Sequence, residues 1–233
     1  MSVLKFIKNL IQKKNTPPEI GKIYFGDLNR LSPIAEDWGF SRGGAIDRYY
    51  IENFILRNAF DIKGHALEIK DDNYLVKYGG NKVLQKDILD VDPNNSKATI
   101  IADLSNADQI PSNTYDCFVL TQTLQLIFDL NAAIEHIYRI LKPGGVLLLT
   151  LPGISHFPNK TDSPIRYWSF TESSVRKILE KRFLKERINT EIYGNVKVTA
   201  SFLYGVGLKE ISQNDLDYRD PNYQLIISAK AVK

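Results

Sequence analysis

Residues 98–152 read ATIIADLSNADQIPSNTYDCFVLTQTLQLIFDLNAAIEHIYRILKPGGVLLLTLP, and this stretch decides the fold. Its apolar residues form three runs, 98–102, 117–120 and 146–151. These runs are apolar on consecutive positions rather than alternating, apart from Thr99 and Thr150, as expected of strands in a parallel sheet that is covered on both faces. Between the second and third runs, apolar residues from Ile134 to Leu141 recur at helical spacing behind a capping Asp129 or Asn131. The stretch therefore predicts two strands, a helix and a further strand.

The same alternation continues on both sides of this stretch. Further strands are predicted at 66–69, at 82–85 and in the tail, 223–232, which alternates in part and so favours an antiparallel strand at or near an edge. Further helices are predicted over 45–58 and from the N-cap residue Thr171 onward. Strands that alternate with helices predict an α/β fold with a doubly wound, mostly parallel sheet, which binds ligands beyond the carboxyl ends of its strands.

Composition narrows the possible functions. The 233 residues suffice for one domain with a sizeable core, and we expect a domain at 61–233 behind a small N-terminal helical extension at 1–60. The net charge of +3 is too small to indicate nucleic-acid binding. No apolar run approaches the ~20 residues of a membrane span. Cys117 is the only cysteine, which favours a reducing, cytoplasmic location.

Residues 1–15 carry a basic amphipathic pattern, with apolar residues on one helical stripe among four lysines. Such a helix can rest on an anionic membrane surface. It can equally dock on its own domain or on a partner. Pro17-Pro18 ends the pattern.

Acidic residues stand near the predicted strand ends. Glu68 and Asp87 lie near the ends of the first two strands, and Asp103 follows the third. Asp87 comes 19 residues after Glu68, which is close to the ~20-residue offset at which dinucleotide-type folds place an acid on ribose hydroxyls. A carboxylate suits a vicinal diol because it accepts two charge-assisted hydrogen bonds. The alternative is that these carboxylates cap the helices that follow.

Three features within 98–152 carry a resemblance to a known family. The features are Asp103 followed by a polar stretch and Tyr115-Asp116, the polar strand exit Thr121–Gln125, and the helix end Arg139–Gly145. Together they resemble the second half of class I S-adenosylmethionine-dependent methyltransferases, of the kind labelled methyltransferase type 11. The resemblance covers about residues 65–152 and implies a Rossmann-like methyltransferase fold, an enzyme, and S-adenosylmethionine as the cofactor.

The resemblance also implies roles for individual residues. Asp87 is expected to hold the cofactor's ribose, and Asp103 its adenine amino group, with Leu104 beside the ring. Thr121 and Gln122 are expected to flank the methionine moiety and the sulfonium. No metal is expected at the site.

The chain departs from the family after its first strand. Relatives have an acidic residue and a Gly-x-Gly-x-Gly turn there, whereas this chain reads EIKDDNY over 68–74. Glycines permit positive φ and a close approach of the backbone to the ligand. In their place, Lys70 either meets the cofactor's carboxylate or is a solvated surface lysine. The altered turn keeps open a catalytically inactive binding or scaffold protein, whereas the absence of Gly-x-Gly-x-x-Gly disfavours a nicotinamide-dependent enzyme.

Two further segments resemble methyltransferase-like proteins that are encoded with glycan-biosynthesis enzymes. They are RGGAIDRYYIE at 42–52 and YWSFT at 167–171. By analogy they imply that the acceptor is the hydroxyl of a sugar, a glycan or another small molecule. Arg42 and Tyr49 are expected to line the cleft, as Asp47 and Arg48 could, although a salt-bridged helix start explains the latter pair nearly as well. Tyr167 and Trp168 are expected to form a lid or a sugar-stacking surface, with core packing as the alternative.

A hydroxyl acceptor also requires a group that takes its proton. His156 follows the predicted strand 146–151, where an acceptor would enter, and is therefore the candidate base. The alternative is an ordinary loop histidine. The sequence does not predict the oligomeric state.

Overall fold

The structure is a computed structural model that describes residues 17–157 and 165–233. The amphipathic pattern predicted at 1–15 lies outside the described residues. Contacts divide the chain between Pro33 and Ile34, and residues 34–233 form one compact unit. The boundary that the sequence placed after residue 60 is therefore corrected, because the helix over 46–57 buries its apolar face in the same core as the first strand.

Seven strands form a single sheet. They are β1 (Gly64–Ile69), β2 (Val83–Asp90), β3 (Ile100–Ile101), β4 (Tyr115–Thr121), β5 (Leu141–Pro152), β6 (Ile188–Tyr193) and β7 (Ile226–Val232). Their order is β3-β2-β1-β4-β5-β7-β6. The first five strands in this order are parallel, and β7 runs antiparallel to both β5 and β6. The predicted mostly parallel, doubly wound sheet is confirmed.

Two strands differ from their predictions. β2 continues to Asp90, five residues beyond the predicted run, because Ile88 and Leu89 are buried by the sheet's neighbours. The tail strand is antiparallel, as predicted, but it is covered by β6, which the sequence analysis missed.

Within the described residues, five α-helices cover the two faces of this sheet. They are α1 (Ile46–Arg57), α2 (Leu130–Ile140), α3 (Glu172–Leu179), α4 (Val196–Leu203) and α5 (Gln213–Asp217). Single helical turns lie at Gly26–Leu28, Phe40–Arg42, Leu75–Gly79, Gly80–Lys82, Leu124–Leu126, Lys185–Arg187 and Leu208–Glu210. Helices α2 and α3 pack on one face and α1, α4 and α5 on the other, so that the sheet is the middle of three layers. No helix within the described ranges is long and apolar enough to cross a membrane.

The predicted helix starts are confirmed by their caps. The Asp129 carboxylate accepts from Asn131 N at 3.1 Å and Ala132 N at 3.0 Å, and Thr171 Oγ1 accepts from Ser174 N at 3.2 Å. Such caps satisfy backbone donors that have no partner within the helix.

The order of the strands reverses direction between β1 and β4. Neighbouring crossovers leave opposite faces of the sheet at such a point and open a crevice at the carboxyl ends of the two strands. The site is therefore expected beyond Ile69 and Thr121, where β1 and β4 end.

Candidate functional site

Glu68 holds the turn after β1 from inside. Its side chain is only 3% exposed, and its carboxylate accepts from Tyr74 N at 3.1 Å and Leu75 N at 2.9 Å. Burial raises the pKa of Glu68 to about 8, against the opposing effect of these two N–H donors. The carboxylate thus fixes the backbone of the turn that replaces the family's glycines.

Lys70 adopts the left-handed conformation, with a φ of 71°. Its N–H donates to Leu89 O at 2.9 Å, and its carbonyl accepts from Asn95 Nδ2 at 2.8 Å. The turn therefore keeps, with a lysine, the conformation for which glycine is the usual residue. The Lys70 side chain is exposed, so it is accessible to a ligand carboxylate.

Asp87 does not lie where the sequence analysis placed it. It is three residues before the end of β2, and its carboxylate bonds His65 Nε2 at 2.7 Å, Thr99 Oγ1 at 2.8 Å and Tyr115 OH at 3.2 Å. Since His65 stands near the start of β1 and Tyr115 starts β4, this cluster lies toward the amino ends of the strands. The expected ribose role is therefore corrected: Asp87 is bound to protein groups on the side away from the crevice.

Asp90 is the acidic residue that ends β2. Its Oδ1 accepts from Asp92 N at 3.1 Å, and its Oδ2 accepts from Asn95 Nδ2 at 2.6 Å. Asp90 follows Glu68 by 22 residues, which is also close to the ~20-residue offset, as the 19 residues of Asp87 are. Asp90 was not predicted as a site residue because the predicted strand ends at residue 85. The apolar residues Ile88 and Leu89 are the signal that the strand continues to Asp90.

Asp103 and Leu104 follow β3, as predicted. Asp103 is exposed, and its Oδ1 accepts from both Ser105 N and Ser105 Oγ at 2.8 Å, which leaves Oδ2 for a ligand. The Leu104 side chain is 2% exposed and belongs to the core. It therefore anchors the segment that presents Asp103.

Thr121 and Gln122 stand at the end of β4. Gln122 has a φ of 48°, and its N–H donates to Thr150 O at 2.8 Å. Lys70 and Gln122 are thus two non-glycine residues held at positive φ at the carboxyl ends of neighbouring strands. Such strain persists only where the surrounding structure imposes it, and it concentrates at functional sites.

A cavity of ≈ 170 Å³ lies beyond the carboxyl ends of β4 and β5. Its wall includes Trp38, Phe40, Asp47, Arg48, Gln125 and Arg166. Trp38 also has positive φ, 59°, and its ring stacks on that of His156 with 4.7 Å between centroids. Gln122 lines this cavity too, so the cavity adjoins the β1–β4 crevice.

Three buried polar atoms at or beside this cavity have no hydrogen-bond partner among residues 17–157 and 165–233. They are Asp47 Oδ1, Gln125 Oε1 and His156 Nδ1. Gln125 is 3% exposed, and its Nε2 donates to Gln122 O at 2.6 Å, which fixes the orientation of the amide and leaves its oxygen unpaired. Buried polar atoms without partners are costly, and their concentration here indicates a ligand that would supply donors.

The charges around this cavity perturb one another. Burial raises the pKa of Asp47, while Arg48 and Arg166 oppose that effect. Burial, and then the nearby Arg166, lower the pKa of His156, so its imidazole is neutral at pH 7.

The predicted acceptor residues are only partly brought together. Arg42 forms an ion pair with Glu210 on the surface, and the Tyr49 hydroxyl donates to Asp217 Oδ1 at 2.6 Å. Neither Arg42 nor Tyr49 lines the cavity. Tyr167 and Trp168 are exposed and contact Phe128, with ring centroids 5.3 Å and 6.0 Å apart.

The backbone of this aromatic cluster connects it to the cavity. The N–H groups of Tyr167 and Trp168 donate to Gln125 O at 2.8 Å and 3.4 Å. The cluster therefore stands next to the cavity, where an extended acceptor would cross it. Trp38 and Arg166 were not predicted as site residues, because neither belongs to a motif that marks it. Gln125 lies in the polar strand exit 121–125, but the resemblance implies no role for it.

Comparison with known proteins identifies the central segment. Residues 74–149 match the profile of the methyltransferase domain family. A segment of 47 residues is 43% identical to the ubiquinone/menaquinone biosynthesis C-methyltransferase of Haemophilus ducreyi. That match covers 19% of this chain and 18% of the relative, so the chain matches less than a fifth of the curated protein's length.

Solved structures share the fold of most of this chain. A SAM-dependent methyltransferase from Archaeoglobus fulgidus aligns with a TM-score of 0.53 and 11% identity over 81% of this chain and 93% of that one. Phosphoethanolamine N-methyltransferase 2 of Haemonchus contortus, in complex with S-adenosyl-L-methionine, aligns with a TM-score of 0.53 and 17% identity over 88% and 54%. The [4+2]-cyclase SpnF aligns with a TM-score of 0.51 and 13% identity over 79% and 80%.

These likenesses confirm the predicted Rossmann-like fold, and residues 74–149 are similar to the methyltransferase domain family. Both agree with S-adenosylmethionine as the predicted cofactor. The cyclase shows that the fold does not prescribe one chemistry, so the reaction has to be argued from the site.

Proposed function

We propose that this chain is an S-adenosylmethionine-dependent methyltransferase that acts on a hydroxyl of a sugar, a glycan or another small molecule. The observation that supports the proposal is the strained pair Lys70 and Gln122 at the carboxyl ends of β1 and β4. Gln122 lies inside the segment that matches the methyltransferase domain family, and Lys70 lies four residues before that segment begins. Asp90 and Asp103 stand on the neighbouring strand ends.

The groups present fit an adenosine and a methionine moiety. Asp90 would hold the ribose hydroxyls, since each of its oxygens accepts one protein donor and retains a further lone pair. Asp103 Oδ2 would accept from the adenine amino group. Thr121 and Gln122 would flank the methionine moiety, and Lys70 would pair with its carboxylate, while Glu68 holds the turn in place. When bound, the cofactor supplies an electrophilic methyl group on a sulfonium.

The turn at 70–74 is the reason to consider a catalytically inactive relative instead. That alternative loses its main support because Lys70 adopts the left-handed conformation that the turn requires. The cavity beside Gln122 supplies space for an acceptor in addition to the cofactor crevice.

Methyl transfer from a sulfonium is an in-line displacement, so holding the acceptor in alignment supplies much of the rate. A hydroxyl acceptor also requires a base. His156 is the base proposed from the sequence, and the structure adds Asp47. Tyr167 and Trp168 would stack on the sugar at the mouth of the cavity.

Calorimetric titration with S-adenosylhomocysteine tests the proposal. We expect saturable binding to the wild type and a loss of at least tenfold in affinity for Asp90→Ala, with unchanged affinity for the N-cap variant Asp129→Asn. Asparagine caps a helix as well as aspartate does, so the control changes one carboxylate without a structural penalty. An absence of binding at millimolar ligand would reject the enzyme.

A further inference from the structure

Two side-chain oxygens at the cavity beside Gln122 could accept hydrogen bonds from a ligand. Asp47 Oδ1 and Gln125 Oε1 are buried and have no hydrogen-bond partner in the described part of the chain, and both residues line the cavity. The nearest cation to Asp47 Oδ1 is Arg48 Nε at 4.0 Å, which is beyond hydrogen-bond distance. Two separate acceptors match two neighbouring hydroxyl groups, each of which has one proton to donate.

The charge of the wall favours a ligand that is not a cation. Arg48 and Arg166 both line the cavity, against the single carboxylate of Asp47. Arg48 donates to Tyr74 OH at 3.3 Å, and Arg166 donates to Ser155 Oγ and His156 O at 2.8 Å. These acceptors are all neutral, so within residues 17–157 and 165–233 neither guanidinium forms a hydrogen bond to a carboxylate.

Arg166 is the cation that a ligand would complement. Its guanidinium donates to two neutral oxygens, Ser155 Oγ and His156 O, both at 2.8 Å. Burial lowers the pKa of Arg166, and the nearby Asp47 opposes that effect. A planar guanidinium binds carboxylate and phosphate groups by paired, charge-assisted hydrogen bonds. An anionic group on the ligand would therefore bind here.

The size and the aromatic wall limit the ligand further. A volume of ≈ 170 Å³ holds a small ring and its substituents, but not a chain of rings. Trp38 and Phe40 contribute flat apolar surface to the wall, as sugar sites do. A longer acceptor would leave the cavity beside Tyr167 and Trp168.

We propose that the cavity binds one anionic sugar unit, a uronic acid or a sugar phosphate, with its charge on Arg166, one hydroxyl on Gln125 and the reacting hydroxyl on Asp47. Asp47 is then the catalytic base. The hydroxyl oxygen forms a bond to the methyl carbon, the methyl–sulfur bond breaks with its electron pair going to sulfur, and the hydroxyl proton passes to Asp47 Oδ1. The inference rests on the proposed function and names its acceptor class and its base.

Asp47 is better placed than His156 for this role. Asp47 lines the cavity, whereas one face of the His156 ring is covered by Trp38 and its Nδ1 is buried. A carboxylate whose pKa is raised by burial is also a stronger base than an exposed one. His156 then serves to support Trp38, and its main-chain oxygen holds Arg166.

Binding is tested by calorimetric titration of the protein, with and without saturating S-adenosylhomocysteine, using glucuronate, glucose 6-phosphate, glucose and glucosamine. We expect one of the two anions to bind at least tenfold more tightly than glucose, and glucosamine to bind most weakly. Their ranking separates a carboxylate from a phosphate ligand. Arg166→Gln should remove the preference for the anion and leave glucose unaffected.

Equal or tighter binding of glucose or glucosamine, or no binding of any of the four, would overturn the acceptor class. Because the sugars are titrated also without S-adenosylhomocysteine, this result is distinct from a failure of the cofactor site. If the cofactor site fails instead, S-adenosylhomocysteine itself does not bind to the wild type.

The base is tested by transfer of a tritiated methyl group from S-adenosylmethionine to the sugar that binds. Asp47→Asn should keep the sugar's dissociation constant within threefold and lower kcat by on the order of 10²–10⁴. The control Asp129→Asn should keep kcat within threefold, and His156→Gln, which removes only the ring that supports Trp38, should lower kcat at least tenfold less than Asp47→Asn does. Transfer at the wild-type rate by Asp47→Asn, a loss confined to His156→Gln, or sugar binding without transfer by the wild type would overturn the assignment.

The pH profile of His156→Gln provides a second test that does not require Asp47→Asn to fold. With Asp47 as the base, kcat of this variant falls toward low pH as the carboxyl becomes protonated, with the same midpoint as the wild type. If kcat of His156→Gln did not decrease toward low pH, the base would be His156 and not Asp47.

Discussion

Asn95 Nδ2 lies 2.6 Å from Asp90 Oδ2 and donates to it. The same amide nitrogen donates to Lys70 O at 2.8 Å. One side chain therefore connects the strained turn after β1 to the carboxylate that ends β2. This connection fixes the spacing between the two parts of the crevice that would hold the methionine and the ribose.

Asn95→Ala should weaken S-adenosylhomocysteine binding three- to tenfold, or by about 0.7–1.4 kcal/mol. The physical reason is that Asp90 and the Lys70 carbonyl lose their common donor and the crevice is less well organised before binding. Calorimetric titration measures the effect. Asn94→Ala is the matched control, since Asn94 donates to Asp92 Oδ1 at 3.0 Å and does not contact either residue. Equal losses in both variants would mean that the bridge has no special role.

Lys70→Gly should stabilise the fold and weaken cofactor binding. A non-glycine residue in the left-handed region costs roughly 1–2 kcal/mol, and the greater freedom of glycine in the unfolded chain offsets about 0.5–1 kcal/mol of the gain. Urea denaturation should therefore show a net gain of up to about 1 kcal/mol. Lys97→Gly, at a surface position without positive φ, should show no gain.

Binding measurements on Lys70→Gly test whether the lysine side chain contacts the cofactor. If the Lys70 ammonium pairs with the cofactor's carboxylate, Lys70→Gly loses affinity for S-adenosylhomocysteine but not for adenosine, which has no carboxylate. A variant that is more stable and binds both ligands as the wild type does would leave Lys70 as a surface lysine.

Asp87→Ala should lower stability without changing cofactor affinity, the opposite of Asp90→Ala. Removing the carboxylate leaves His65, Thr99 and Tyr115 without their acceptor, at a cost of about 2–4 kcal/mol. Although burial opposes them, hydrogen bonds from Thr99, His65 and Tyr115 hold the pKa of Asp87 below its ordinary value. This stabilisation is thus present above the unfolded pKa of ~3.9 and is lost as pH falls through the folded value. Weaker S-adenosylhomocysteine binding in Asp87→Ala would show that Asp87 does contact the cofactor, as the sequence predicts.

The sheet could be predicted from the sequence because its central strands are short apolar runs with clear helix signals between them. Asp129 and Thr171 are caps that act through their immediate neighbours, so local sequence identifies them. β6 has no such signal: its residues 189–192 are polar or partly exposed, and the strand depends on pairing with β7. Pairing between distant segments is a tertiary effect that local periodicity does not contain.

The site was predicted less well, and Asp87 and Asp90 show why. Both lie in the same strand at a similar offset from Glu68, and only the register with β1 and β4 decides which one reaches the crevice. The cavity is harder to predict, since its residues come from three distant segments: Trp38 and Asp47 from the first, Gln125 from the second and Arg166 from the third. The sequence is compatible with Asp47 in the cleft, but a salt bridge with Arg48 at the start of a helix explains an aspartate at this position nearly as well.

Glu68 makes the stability of the fold depend on pH in the direction opposite to Asp87. Because burial raises its pKa from the ordinary 4.5 to about 8, the native state binds more protons than the unfolded chain between these values. The free energy of unfolding therefore decreases as pH rises from 4.5 to about 8. Urea denaturation at a series of pH values should show this decrease in the wild type.

Glu68→Gln should flatten that pH dependence, because the amide cannot ionise. It should also be less stable than the wild type at pH 5, by about 1–3 kcal/mol, since its NH₂ group faces one of the two N–H donors of Tyr74 and Leu75. Glu52→Gln, which removes an exposed carboxylate paired with Lys77, is the control and should retain the wild-type profile. A slope unchanged in Glu68→Gln would show that the carboxyl is ionised throughout this range and that its two N–H donors outweigh its burial.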